Sequence, residues 1–346
     1  MQIIQDLNLF ELQDLMEQLG EKKFRAKQIL DNINLGKSIS DYSNISKDLK
    51  EKLLTIFCDT TLKIHTILKG KDGTQKFAYE LNDGNIIEGV LMSYKYGNTL
   101  CVSTQVGCRM GCKFCASTLN GLTRNLSSGE ILSQVLTVNA YLGGKKERQR
   151  AITNVVLMGS GEPLDNYDNV IKFINLVSSP DGLNISPRNI SLSTCGIVPN
   201  IKKLAHENLP IVLTISLHAP NDEIRKQMMP IANKYSITEI IESAKYYFQQ
   251  TGRRVIFEYA LSDEVNATPE CARELSKLLK GFPTHINLIP LNEVKERNLK
   301  TVNRKKAEQF ANILQSLGNS VTIRRTIGED IGGACGQLRN SIVNNQ

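Results

Sequence analysis

The sequence predicts an α/β chain organised as a partial (β/α) barrel, with a small all-α module and a β-hairpin extension in front of it. Three observations predict this. From about residue 107 onward, short apolar runs alternate with amphipathic stretches, the pattern of parallel strands joined by crossover helices. Polar side chains recur on one face of several of these strands, whereas a doubly wound sheet covered by helices is apolar on both faces. Before residue 107 the periodicity is first helical and then that of strands broken by turns.

In chain order, residues 1–60 form the helical module. Leu7, Phe10, Leu12, Leu15, Met16 and Leu19 recur at three- and four-residue intervals and stop at Gly20. A second helix starts near Phe24, and a third runs from Asp48 to Phe57. Residues 61–98 form the hairpin connector, with runs Thr61–Leu68, Lys76–Leu81 and Ile86–Tyr94 separated by Lys71-Asp72-Gly73, Asn82-Asp83-Gly84 and Tyr96-Gly97-Asn98. Residues 99–346 form the barrel core. Its first strand, Thr99–Val106, puts Cys101, Ser103 and Gln105 on one face, since strand side chains alternate. The same alternation groups Ser191, Ser193 and Cys195, and then Thr214, Ser216 and His218. Later strands are expected at 154–158, 189–193, 211–216, 254–259, 285–289 and 320–324. The helices between them are expected at 129–142, 166–177, 198–208, 237–250, 269–279 and 304–317.

The 346 residues are 41% hydrophobic and 22% charged, which excludes a disordered, collagenous or fibrous chain. No apolar run approaches the roughly 18 residues of a membrane span, and the first residues, Met1-Gln-Ile-Ile-Gln-Asp, do not resemble a secretory signal. Both point to a cytoplasmic protein without a membrane partner. Lys and Arg exceed Asp and Glu by 42 to 35, a net charge of +7 that suits a polyanionic partner. Two basic runs, Lys145-Lys146 with Arg148 and Arg150, and Lys295 to Lys306, are candidates for phosphate contact or for solvated surface.

The cysteines carry the most information. Cys108, Cys112 and Cys115 are spaced C-x₃-C-x₂-C immediately after the first barrel strand, where a barrel places its chemistry. Three thiolates can hold three irons of a cubane and leave the fourth open, whereas electron-transfer clusters use four cysteines. Zinc is the rival reading, with a remote fourth ligand from Cys101, Cys335 or one of the four histidines. Cys58, Cys195 and Cys271 read as core thiols. Cys335 lies in a glycine-rich loop, Gly332-Gly333-Ala334-Cys335-Gly336, suited to presenting sulfur in more than one direction. Glu88 is a lone acid on an alternating strand, either catalytic or solvated.

The cysteine spacing resembles the radical S-adenosylmethionine (SAM) superfamily. The segments 102–117, Gly161-Glu162-Pro163-Leu164, Ser216-Leu217-His218-Ala219, Phe257-Glu258-Tyr259-Ala260-Leu261 and Ala334-Cys335-Gly336-Gln337-Leu338-Arg339 resemble the RlmN/Cfr family of RNA adenine methyltransferases. Phe24-Arg25-Ala26-Lys27-Gln28-Ile29 extends that likeness into the helical module. Leu288-Ile289-Pro290-Leu291-Asn292 and Ile323-Arg324-Arg325 are similar to the RlmN branch, which acts on C2 of adenine, rather than the C8-methylating Cfr branch associated with antibiotic resistance. Two departures stand out: Ser160 replaces a usual Met, and Gly332-Gly333 replaces a pair such as Asp-Ala.

The resemblance implies a radical SAM barrel, one [4Fe–4S] cluster on Cys108, Cys112 and Cys115, and SAM held by Gly161, Glu162, Ser193, Ser216, Leu217, His218 and Asn292. It implies methylation of 23S rRNA at the peptidyl transferase centre and of tRNA at the adenosine 3′ of the anticodon. An aromatic C2 is not nucleophilic, so the family uses two SAM molecules. Cys335 takes a methyl from the first, a radical made from the second removes hydrogen from it, and the carbon adds to C2. Cys101 then attacks the Cys335 sulfur, giving a disulfide and releasing product, while Glu88 serves as acid/base. An RNA-binding role for the helical module, a flavodoxin or ferredoxin as electron donor, and a monomeric state complete the expectation. A zinc-stabilised RNA-binding protein without redox chemistry is the alternative of another class.

Overall fold

The computed structural model describes residues 2–145 and 149–339. Three helices open the chain: α1 (Leu9–Gln18), α2 (Arg25–Asn34) and α3 (Lys47–Ile56). The start of α1 is fixed by a capping box, in which the Asn8 side chain accepts the Glu11 N–H and the Glu11 carboxylate accepts the Asn8 N–H. The module's buried faces (Leu12, Met16, Ile29, Ile33, Leu49 and Leu53) belong to the same continuous apolar core as the barrel. Polar ties reinforce that docking. Asp6 accepts from Ser128 Oγ at 2.6 Å, Lys172 reaches Glu11 at 2.7 Å, and Lys27 reaches Asp181 at 2.7 Å.

Four antiparallel strands follow, β1 (Leu62–Lys69), β2 (Gln75–Leu81), β3 (Ile86–Tyr94) and β4 (Gly97–Cys101). Two short strands, β5 (Gln105–Gly107) and β6 (Leu122–Asn125), make a separate ribbon that brackets the cysteine loop. Then come α4 (Ser128–Tyr141), β7 (Ile152–Leu157), α5 (Tyr167–Ser178), β8 (Ile190–Thr194), α6 (Val198–Leu204), β9 (Val212–Ser216) and α7 (Asp222–Met228). The chain continues through α8 (Ile237–Thr251), β10 (Val255–Leu261), α9 (Pro269–Leu278), β11 (Thr284–Pro290), α10 (Arg304–Ser316) and β12 (Val321–Ile323).

All strands except β5 and β6 form one ten-stranded sheet in the order β1-β2-β3-β4-β7-β8-β9-β10-β11-β12. From β4 onward every neighbour is parallel and next in the chain among the sheet's strands. The sheet is open, since β1 and β12 are its two ends. This is the expected partial barrel, and the hairpin connector extends its sheet. The apolar residues on the helix-covered face of the strands, Leu100, Val155, Leu192, Leu213, Phe257 and Leu288, are essentially inaccessible. No helix of the described residues is long and apolar enough to cross a membrane.

One expected element breaks. Thr99–Val106 is not a single strand: β4 stops at Cys101, Val102 N–H still donates to the Val156 carbonyl of β7, and the backbone beyond finds other partners. Ser103 N–H donates to the Gln134 side chain of α4, and Thr104 and Gln105 N–H donate to the Ser160 carbonyl. A shared strand face for Cys101, Ser103 and Gln105 is therefore incorrect. Ser103 Oγ instead donates to the Glu88 carbonyl, and Gln105 Nε2 donates to Asn125 and Asp165. Helix α7 and strand β6 are additions to the expected element list, both short and lodged inside loops.

Candidate functional site

The C-terminal ends of the parallel strands gather most of the residues singled out in the sequence, as barrel geometry requires. Cys101 is the last residue of β4. The segment Gly159–Glu162 follows β7, Ser193 lies near the end of β8, Ser216 ends β9, and Asn292 follows β11.

The cysteine loop is built on two left-handed glycines, Gly107 (φ 76°) and Gly111 (φ 71°). Lys113 N–H donates to the Met228 carbonyl, and the Arg109 guanidinium forks onto Asp165, so the loop is held from two sides. Cys108, Cys112 and Cys115 all line one cavity of about 150 Å³, together with Gly161, Glu162, Ser193, Ser216, His218, Asn292 and Cys335. Burial pushes the Cys108 thiol up to about 12, and burial plus mutual repulsion pushes up Cys112. A metal bound there must displace their protons.

Gly161 sits at φ 111°, and a side chain on it would come 2.7 Å from Thr104 Oγ1 and 2.8 Å from Gln105 N, so only glycine fits. Glu162 is buried, and its carboxylate accepts N–H from Cys195 at 2.7 Å and from Leu164 at 3.0 Å. Burial raises its pKa against those hydrogen bonds. Ser193 Oγ lies 3.4 Å from Ser216 Oγ and 3.3 Å from Glu258 Oε2. His218 lies beyond the end of β9 at φ 57°, so it leaves the alternation that grouped it with Thr214 and Ser216. Its Nδ1 accepts the Ala260 N–H at 2.9 Å, which puts the proton of the neutral ring on Nε2, and burial holds its pKa down at about 3. Leu217 does not line the cavity: its side chain is buried in the core, its N–H donates to the Glu258 carbonyl and its carbonyl accepts from Arg225.

A second cavity adjoins the first. It is lined by Cys101, Met92, Met158, Arg324, Asn292 and Cys335 among others. Cys335 and Asn292 border both cavities. The Cys335 loop is pinned over the cysteine loop: Asn292 Nδ2 donates to the Cys335 carbonyl at 3.0 Å, Ala116 N–H donates to Gly336 at 2.7 Å, and Ser117 Oγ donates to Leu338 at 2.7 Å. Cys101 is buried and its thiol is pushed up to about 12 by burial and then by Cys335, while Cys335 itself is exposed. All eight cysteines are free thiols. The disulfide implied between Cys101 and Cys335 is therefore not a standing bond of the fold, because the two sulfurs face a common cavity unjoined.

Glu88 is not part of either cavity wall. It sits on β3 on the same face as Val90, which pairs with Cys101 across the sheet. Its Oε1 lies 3.0 Å from Lys76 Nζ, and its Oε2 accepts the Arg339 N–H at 2.6 Å. Burial raises its pKa against the pull of Lys76. The carboxylate is thus wired to the segment carrying Cys335.

Sequence reasoning overlooked four residues. Glu258 is the single acid in the apolar run of β10; it lines the first cavity and pairs with Arg324 at 2.9 Å. Arg324 is raised first by Cys335, against burial, and then by Glu258. Arg225 of α7 is fully buried and donates to the carbonyls of Cys195 and Leu217. Cys195, read as a core thiol, is buried but also borders the first cavity. A lone charge in an apolar run was the available signal for Glu258; Arg225 sits in a polar stretch that gave none.

The donor set fits an iron–sulfur cluster. Three thiols face one cavity, and two buried polar atoms nearby, Arg225 Nη1 and Ser160 Oγ, have no protein partner. Among the described residues no three His, Cys, Asp or Glu side chains converge on one point as the ligands of a single ion would.

Comparisons with known proteins agree. Residues 102–266 match the radical SAM superfamily, and residues 4–58 match the ribosomal RNA large subunit methyltransferase N-terminal domain. A probable dual-specificity RNA methyltransferase RlmN of Clostridium novyi (strain NT) is 54% identical over 100% of both chains. One from Clostridium perfringens (strain 13 / Type A) is 52% identical over 99% of this chain and 98% of its own. A crystal structure of a radical SAM methyltransferase from Sphaerobacter thermophilus superposes with a TM-score of 0.94, at 38% identity, covering 99% of this chain and 100% of that one. With relatives of this similarity along its whole length, and with the strand-end cavity that its three spaced thiols share with Cys335, the chain belongs to the RlmN family of the radical SAM superfamily.

Proposed function

We propose that the protein methylates C2 of adenosine in 23S rRNA and in tRNA, at the adenosine 3′ of the anticodon, with one [4Fe–4S] cluster and SAM. The observation that carries this reading is the position of Cys335. It borders both the cavity of Cys108, Cys112 and Cys115 and the cavity of Cys101. A thiol that is first loaded and later relieved of its carbon needs access to both.

Cys108, Cys112 and Cys115 would hold the cluster. Gly161, Glu162, Ser193, Ser216, His218 and Asn292 would hold SAM, with Leu217 positioning Ser216 and His218 through its backbone bonds to Glu258 and Arg225. Bound together, these groups supply the methyl carbon and the one-electron chemistry that an unreactive aromatic carbon requires. Glu162 and Glu258 give the cavity negative charge for the sulfonium and ammonium of SAM, and the neutral His218 ring offers an Nε2–H donor. Asn292, through the Cys335 carbonyl, holds the acceptor sulfur over the cavity. Cys335 carries the carbon to the base, and Cys101 attacks the Cys335 sulfur to free the product. The Arg324 charge acts on Cys101 against the burial that holds its proton on. Glu88, tied to Lys76 and the Arg339 N–H, is the acid/base, reached when the Arg339 segment shifts. The helical module (1–60) is an RNA-binding accessory unit, the 61–98 hairpins connect it to the core, and 99–346 is the catalytic unit. The enzyme works as a monomer in the cytoplasm with a flavodoxin- or ferredoxin-type donor.

The test is to express the chain in cells lacking C2 adenine methylation and to map the methylated carbon on rRNA and tRNA by mass spectrometry. Methyl groups on C2 in both RNAs are expected. Methylation at C8, or none while iron and labile sulfide are fully loaded, would overturn the reading.

A further inference from the structure

The turn joining β3 and β4 carries a feature that the chemistry above leaves unused. Tyr94 and Tyr96 stack face to face, with ring centroids 4.9 Å apart and planes within 7°. They are not core residues: Tyr96 is 70% exposed and Tyr94 39%. Stacking covers one face of the Tyr96 ring, so an exposure that high leaves its other face open to solvent. Two aromatic rings held in register at a turn form a rigid platform with little conformational entropy left to lose.

Its location gives the platform a ligand. The Tyr94 hydroxyl lies 3.7 Å from Met92 Sδ, and Met92 lines the Cys101–Cys335 cavity. Arg324, Cys335 and Asp72 are close enough to Tyr94 to act on it electrostatically. Arg325 is a further cation on that cavity's wall, and Lys95 stands exposed between the two tyrosines. An open aromatic face with cations close by, in contact through Met92 with a cavity wall, is the composition that takes an unpaired nucleobase beside a phosphate backbone. An apolar protein surface would not require the cations, and a free phosphate would not require the rings.

We propose that Tyr94 and Tyr96 form a stacking platform for an unpaired base of the RNA that neighbours the target adenosine, so that the target enters the cavity while its neighbour is held outside. This rests on the reading of the protein as an RNA adenine methyltransferase. Splaying a base from its neighbours sacrifices stacking, and a ring at the rim restores it for the neighbour.

The chain has no tryptophan, so Tyr96→Trp introduces a single indole reporter. The probe is an RNA stem-loop with the target adenosine in its loop and 2-aminopurine placed on its 5′ or its 3′ side, added to cluster-loaded enzyme. Binding is expected to quench the Trp emission of Tyr96→Trp and the 2-aminopurine emission on one side only. Tyr96→Ala and the Tyr94→Ala/Tyr96→Ala double variant are expected to weaken binding on the order of tenfold and to lose the one-sided quenching. Tyr96→Phe keeps the ring and is expected to bind as the wild type does, which separates stacking from a hydroxyl contact. Iron content and thermal midpoint are measured for each variant so that misfolding is not read as lost affinity. If the alanine variants bind and quench like the wild type, the platform is wrong and the methyltransferase reading stands. If wild-type enzyme does not bind the stem-loop at all, that reading fails and takes the platform with it.

Discussion

Cys101 and Cys335 share a cavity but not an environment, and the proposed scheme gives them different steps. Cys335 is exposed and borders both cavities, while Cys101 is buried with its proton held on. Cys335→Ala is expected to carry no methylthioether, form no RNA adduct and give no methyladenine, with its cluster intact. Cys101→Ala is expected to trap a covalent protein–RNA species through Cys335, read as a shifted gel band and a nucleotide mass on the peptide containing Ala334-Cys335-Gly336. Normal turnover by Cys101→Ala would sink the two-cysteine scheme. His218 gives a second residue-scale prediction. Its folded pKa is lowered to about 3 from the ordinary 6.5, so below pH 6.5 the unfolded chain binds a proton that the folded protein refuses. The stability it contributes is complete above about pH 7 and declines as pH falls toward 3, a loss of about 1 kcal/mol by pH 5.5. Urea midpoints of the cluster-free protein should fall over that interval, and less steeply in His218→Gln. With only four histidines in the chain, the ring resonance of His218 should stay unshifted between pH 8 and 5.5.

At the scale of elements, the start of α4 shows packing overruling propensity. Ser127 and Glu130 form a capping box there, and Asp6 adds a carboxylate that accepts from Ser128 Oγ at 2.6 Å and from the Gly129 N–H. Helix propensity by itself says that Gly129→Ala stabilises by about 1 kcal/mol. A Cβ at that position would stand 2.7 Å from the Asp6 nitrogen and 2.7 Å from Ile3 Cγ2, and the first of these is backbone. Gly129→Ala is therefore expected to lower the thermal midpoint, and a raised midpoint would refute the close packing of residues 3–6 on α4. The cysteine-bearing segment makes the same point about strands. Alternation extended the first barrel strand to Val106, yet the backbone leaves the ladder after Val102, where Gln134 and Ser160 take its N–H groups. Those partners come from 30 and more residues away and leave no periodic trace.

Across the whole molecule, the helical module and the barrel share one apolar core and are joined by ion pairs at Lys27–Asp181 and Lys172–Glu11. Calorimetry of the cluster-free protein should show one cooperative transition, with near- and far-ultraviolet dichroism melting together. Two separated transitions would mean that the module folds on its own. The net charge of +7 makes RNA affinity salt-dependent, and it should fall by orders of magnitude from low to physiological salt. Of the first basic run, Lys146 and Arg148 lie outside the described residues. In the second, Lys300, Arg304 and Lys306 are engaged by Glu264, Glu308 and Asp263. Such exposed pairs are worth little individually and open readily to a phosphate.

The sequence by itself determined the order of the main strands and helices, the strand-end address of the site and the spacing of its three thiols. These depend on periodicity and on spacing within a few residues, and local chain geometry enforces both. Only the tertiary structure decided that Cys335 stands between two cavities, that Glu88 is wired to Lys76 and the Arg339 backbone, and that Glu258 and Arg324 pair across strands β10 and β12. The Glu258–Arg324 and Glu88–Arg339 relations join positions 66 and 251 residues apart. They arise because the sheet brings successive strand ends to one rim and folds the C-terminal segment back across it, and no local pattern encodes which distant side chains meet there.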